Sequence, residues 1–225
     1  MSENESFIDE VNEEVRRDRL FALFRKYGWI PVTAVILVVA VASWIEWEKY
    51  QARLAAETLG DAVLTALAEP DAASRATAIG ALDVDSDAAT VLGLLKAAAD
   101  AEASNRDAAL AILDGLAARE DLPPLYTDLA ALKAVVLRGA DQDRAARLAV
   151  LDRLAEPGRP YRLIALEQKA LALYEFGNNN EAVAILQAIL EEPQVTQSLL
   201  QRAQQLIVAM GGTLPQAEAE ATDNG

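Results

Sequence analysis

Residues 170–193 read ALALYEFGNNNEAVAILQAILEEP, and this stretch decides the fold. Its first part is built of Ala and Leu, the strongest helix formers. Gly177 and the three Asn residues behind it break that helix. A second Ala- and Leu-rich helix follows, and Pro193 stops it, because proline cannot continue a helix. Two helices joined by so short a turn lie antiparallel.

The same beat extends outward. After a short helix over about 74–82, helices are expected at about 87–103, 106–119, 124–138, 142–155, 160–176, 180–191 and 195–210. The breakers between them are Ser104-Asn105, Pro123-Pro124, Gly139, the PGRP run at 157–160, and Gly177. Gly139 and Gly177 stand 38 positions apart. A helix pair recurring at such a period is the mark of a helical solenoid. Earlier units are looser: Gly93 lies in the first helix of one, with Ala108 and Ile112 in its second, and a middle unit surrounds Gly139. The repeat domain is expected over 48–211. The tail, residues 212–225, is polar and acidic, and is expected to be disordered.

Upstream of the repeats, residues 27–45 (YGWIPVTAVILVVAVASWI) carry no charge. At about 1.5 Å per residue they span roughly 28 Å, close to the hydrocarbon thickness of a bilayer. Tyr27 and Trp29 stand at one end, Trp44 and Trp47 at the other, as in an interfacial aromatic belt. One transmembrane helix is therefore expected over 27–47, with helix running on from 46 to about 69. Arg16, Arg17, Arg19, Arg25 and Lys26 precede the span, while only Lys49 and Arg53 follow closely. The positive side stays in the cytoplasm, so residues 1–26 are expected inside and the repeats outside. A cleaved signal peptide is the rival reading, since Ala40-Val41-Ala42 looks like a cleavage site. The long leader of mixed charge and the bulky Trp44 and Trp47 argue against it. The arm over 6–26 reads as an amphipathic helix, with Phe7, Val11 and Val15 four apart, an acidic first half and a basic second half. It serves either to fix topology or to dock a partner.

Composition sets the exclusions. The chain has 225 residues, a net charge of −15, and neither Cys nor His. Thiol nucleophiles, Ser-His-Asp triads and zinc sites built on Cys or His are excluded. Nucleic acid would be repelled along most of the length. Residues 83–87 (DVDSD) resemble a calcium loop, but Ala88 stands where the loop needs Gly and Leu94 where it needs Glu, so a polar turn is expected. No phosphate loop or catalytic signature is present, and no metal or cofactor is expected. The fold class is all-α: a transmembrane helix followed by a solenoid of antiparallel helical pairs.

Residues 170–193 resemble one tetratricopeptide repeat. Ala170 and Ala182 stand at its two small-residue positions, Gly177 at the turn, Leu186 where Phe is usual, and Pro193 at the close. The chain departs from that pattern in having no Trp in any unit; Asp128 stands at one of those places. The layout of arm, single membrane helix and repeats is similar to a bacterial inner-membrane-anchored tetratricopeptide-repeat family, the ancillary subunits of the Sec translocon. The repeats are also similar to those of a periplasmic cell-division coordinator. The resemblance implies an inner-membrane protein with periplasmic repeats, and translocon subunits, chaperones or exported chains as partners. The motif is structural and carries over no binding residue.

The expected function is that of a protein-binding scaffold, since solenoids bind along their concave face. Lys96, Lys133, Arg138, Gln168 and Lys169 are the candidate contacts on the inner helices, and each reads equally well as a solvated surface residue. An envelope-assembly or division scaffold, a self-associating structural protein and a tethered carboxylate enzyme are the other readings.

Overall fold

A computed structural model describes residues 25–26, 29–84 and 87–214. Among them the chain is wholly helical. The elements are α1 (Trp29–Leu67), α2 (Ala72–Gly80), α3 (Asp87–Glu102), α4 (Arg106–Ala117), α5 (Pro124–Arg138), a 3-10 turn (Gly139–Asp141), α6 (Arg144–Leu154), α7 (Arg162–Glu175), α8 (Asn179–Leu190) and α9 (Gln197–Ala209). From α2 onward every helix end falls within two residues of its expected place. The chain divides into two compact units, Met1–Ala62 and Val63–Gly225.

In the first unit, helix continues from Trp29 through the apolar run into charged sequence without a break. Among the described residues no helix is long and apolar enough to cross a membrane. The membrane helix expected over 27–47 is thus not found as an element of its own. Tyr27 and Gly28 lie outside the described residues, as do Arg16, Arg17 and Arg19 of the arm. The apolar side chains are uncovered: Val35, Ile36, Leu37 and Val38 are each 61–67% exposed. The rings of Trp44 and Trp47 lie 5.8 Å apart, tilted against each other.

The second unit is a row of helices in which each packs mainly against the one before and the one after. Polar side chains cap the starts of α2, α6 and α9. The Asp71 carboxylate accepts from the backbone N–H groups of Ala73 and Ser74, both at 3.0 Å. Asp143 caps α6 through Ala146, and Thr196 caps α9 through Leu199. Each satisfies N–H groups that a helix start leaves without partners.

The helix ends reveal the repeat. Positive φ angles follow α3, α5, α7 and α9, at Ser104, Gly139, Gly177 and Gly211. These positions are 35, 38 and 34 residues apart. Three of the ends close in the same way. Asn105, Asn178 and Gly212 donate to the carbonyls of Asp100, Leu173 and Ile207 at 2.8–2.9 Å, while the residue before each donates to the carbonyl three back. This is the Schellman closure, which a left-handed residue makes possible. Four residues before each positive φ sits a buried side chain: Asp100, Val135, Leu173 and Ile207.

The intervening helices repeat too. Their buried residues are Ala109, Leu113 and Leu116 in α4, Arg147, Leu151 and Leu154 in α6, and Ala182, Leu186 and Ile189 in α8. The intervals of four and then three are the same in all three helices, so each buries one stripe of the same width. This corrects the sequence reading of α4 by one position. Ala108 is only partly buried, while Ala109 is fully enclosed and takes the small-residue place. Near the α3–α4 contact, a Cβ on Gly93 would come within 3.3 Å of Leu116 Cδ1. Pro193 is exposed, three residues beyond the end of α8.

The tail is a second correction. Disorder is expected over 212–225; residues 215–225 lie outside the described residues, and the three that are described are held. The Gln187 side chain donates to the Thr213 carbonyl at 2.9 Å. A Cβ on Gly212 would lie 2.8 Å from Val183 Cγ1, so only glycine fits against α8 there.

Ser104 is the one non-glycine residue with positive φ among the described residues, at 61°. Side chains pay roughly 1 kcal/mol for that conformation. Ser104→Gly is therefore expected to stabilise the protein by about 0.5–1 kcal/mol, after the greater freedom of Gly in the unfolded chain is offset. Urea unfolding checks this; a midpoint at or below wild type means that Ser104 is not strained.

Candidate functional site

Alternate helices share one face. Ala97, Ala98 and Ala101 of α3, Leu129 and Val136 of α5, and Ile164 of α7 line a groove of about 370 Å³. The methyl side chains of α3 keep one wall low, and the larger alkyl groups of α5 and α7 form the rest. Val136 and Ile164 are 51% and 40% exposed, while Ala97, Leu113 and Leu132 of the same lining are buried core residues. Two polar side chains join it, Lys133 from α5 and Gln168 from α7. An apolar concavity with a few polar groups at set positions is the usual form of a binding site.

The five expected contact residues therefore divide. Lys133 and Gln168 line the groove. The other three are tied up in ion pairs. Lys96 meets Asp100 one turn along α3, at 2.6 Å. Arg138 meets Asp114 of α4, and Lys169 meets Asp152 of α6 at 2.7 Å. These three hold neighbouring helices or turns together and present no free charge.

Further ion pairs join residues about one repeat apart. Arg106 of α4 meets Asp141 at 2.5 Å, and Arg202 of α9 grips the buried Glu167 of α7 through two bonds of 2.8 and 2.9 Å. Asp128 of α5 is wholly buried. Arg159 Nη1 reaches both of its oxygens, at 3.2 and 3.3 Å, and Arg153 Nη1 reaches one at 3.3 Å. Burial pushes the nearby Tyr161 hydroxyl above its usual pKa, and the charge of Asp128 adds to the shift. No local pattern announces such pairs, because partners 24 to 35 residues apart meet only once the helices are stacked.

A second hollow, about 650 Å³, lies between the starts of α7 and α9 and holds Arg159, Arg162 and Arg202. Each is already matched: Arg159 to Asp128, Arg162 to Glu192 at 2.7 Å, and Arg202 to Glu167. The hydrogen bond from Arg162 holds the Glu192 carboxyl below its usual range. With its charges satisfied from within, this hollow is part of the scaffold. Among the described residues no group of three acidic side chains is placed to hold a metal ion.

Compared with protein-family models, curated proteins and solved structures, the chain has no match.

Proposed function

We propose that the chain is a membrane-anchored protein-binding scaffold and not an enzyme, and that the groove across α3, α5 and α7 is its working face. The observation that carries this reading is the groove itself: an apolar lining drawn mainly from three alternate helices, in which Val136 and Ile164 stand exposed. Half-exposed Val and Ile side chains gathered on one concave face are what a polypeptide partner covers.

Anchoring is supported by the uncovered stretch of α1. Residues 29–45 are uncharged and helical. At about 1.5 Å per residue they reach about 26 Å, short of a hydrocarbon core of about 30 Å, so the span of this reading takes in residues 27–28, which lie outside the described residues. Aromatic side chains at the ends and slight thinning of the bilayer accommodate such a length. In water, the same surface would be an aggregation hazard. With Arg25 and Lys26 ahead of it, the arm is placed in the cytoplasm and the helical row in the periplasm of a bacterial inner membrane. The resemblance of its layout to the ancillary translocon subunits makes translocon subunits, exported chains or their chaperones the partners of choice.

The test places a photo-crosslinking residue at Val136 in the groove, or at the exposed Ala111 of α4 outside it, in living cells. A bait of residues 1–50 serves as control. Exported chains or translocon subunits are expected from position 136 and from neither the Ala111 site nor the short bait. The same products from both sites would remove the groove as the working face. The same partners on the short bait would assign the binding to the anchor.

A further inference from the structure

We infer that the polypeptide segment the groove takes carries a carboxylate beside its apolar side chains, and that Lys133 receives it; this rests on the groove being the binding face. In residues 63–214 the fold finds a partner for every other cation. Each remaining Lys or Arg there has a carboxylate within ion-pair distance, except Arg144, whose guanidinium lies 4.9 Å from the centre of the Phe176 ring. Among the described residues of 63–214, Lys133 alone has neither, in a chain whose net charge is −15. With acidic side chains so abundant, leaving one lysine unmatched is the exception.

Its location gives the exception a use. Lys133 sits on the middle of the three lining helices, one turn from both Leu129 and Val136. Lys133 is exposed, and no carboxylate of the described residues pairs with it, so its ammonium attracts an incoming carboxylate as a solvent-screened charge. Gln168 brings an amide donor to the same lining. A small free acid would leave the alkyl walls wet. A segment with two or three apolar side chains and one Asp or Glu covers the walls and neutralises the lysine together.

The experiment uses the full chain in lipid nanodiscs. The probes are sets of labelled 12-residue peptides, with apolar residues at helical spacing and one variable position holding Glu, Gln or Lys. Binding is read by fluorescence anisotropy to wild type, Lys133→Met, Lys133→Glu and Ala98→Trp, the last filling the groove. Circular dichroism checks that each variant keeps its helix content. The Glu peptides are expected to bind wild type about fivefold more tightly than their Gln counterparts, the scale of an ion pair that solvent still reaches. The preference disappears in Lys133→Met, passes to the Lys peptides in Lys133→Glu, and fades at high salt. If Ala98→Trp abolishes binding but Glu and Gln peptides bind alike, the carboxylate inference falls and the groove reading stands. If no peptide distinguishes wild type from Ala98→Trp, the groove reading falls and takes the inference with it.

Discussion

The double variant Arg153→Met/Arg159→Met is expected to lose about 3–5 kcal/mol of stability, because it strands a buried carboxylate. Asp128 is fully enclosed within α5, and its only ion-pair partners among the described residues are these two arginines. One comes from α6 and the other from the joint between α6 and α7, so the pair of contacts ties three consecutive segments to one point. Either single variant leaves one arginine in place and costs less. Adding Asp128→Leu to the double variant is expected to restore most of the loss, since an apolar side chain suits a site stripped of its charges. Urea unfolding followed by circular dichroism measures all four proteins. A double variant with the wild-type midpoint, or a triple variant no better than the double, would mean that Asp128 is not held by this pairing.

Leu186→Ala is expected to cost about 2–5 kcal/mol, the range for a large-to-small change in a closed core. Leu186 is wholly buried among residues of α7, α8 and α9, including Leu173, Ile189 and Ile207. Because each helix depends mainly on its immediate neighbours, the damage is local. Amide hydrogen exchange is expected to rise steeply in α8 and α9 and little in α2 to α4. Uniform loss of protection along the row would instead show one cooperative unit, in which a repeat does not open on its own.

Helix positions were legible because Gly, Pro and Asn-rich joints punctuate the chain, and backbone rules at such residues are local. The antiparallel pairing followed from the shortness of the joints. What escaped the reading depends on packing. The one-residue shift from Ala108 to Ala109 is invisible in an alanine-rich helix, where neighbouring positions carry the same side chain. The docking of Gly212 against Val183 depends on a surface formed by α8. The arginines that hold Asp128 and Glu167 come from other helices, and an acidic residue's own sequence does not tell whether it will be buried. Of the five suspected contacts, geometry separated Lys133 and Gln168 from Lys96, Arg138 and Lys169, whose carboxylate partners meet them only in the folded chain. The run of helix past residue 45 was legible as well: Glu46 to Leu67 contains strong helix formers and no proline to interrupt it, and α1 continues to Leu67.

The order of contacts along the row has a kinetic consequence. Helices touch chiefly the next in sequence, so nearly every loop to be closed is short, and the closure entropy to be overcome is small. Among the described residues the row has no strand that must wait for a distant partner. α2 can pack on α3 as soon as both have emerged, and each later helix adds to a surface already formed. A chain delivered from its N-terminal end is therefore able to fold as it arrives, exposing at any moment only the last unmatched apolar stripe.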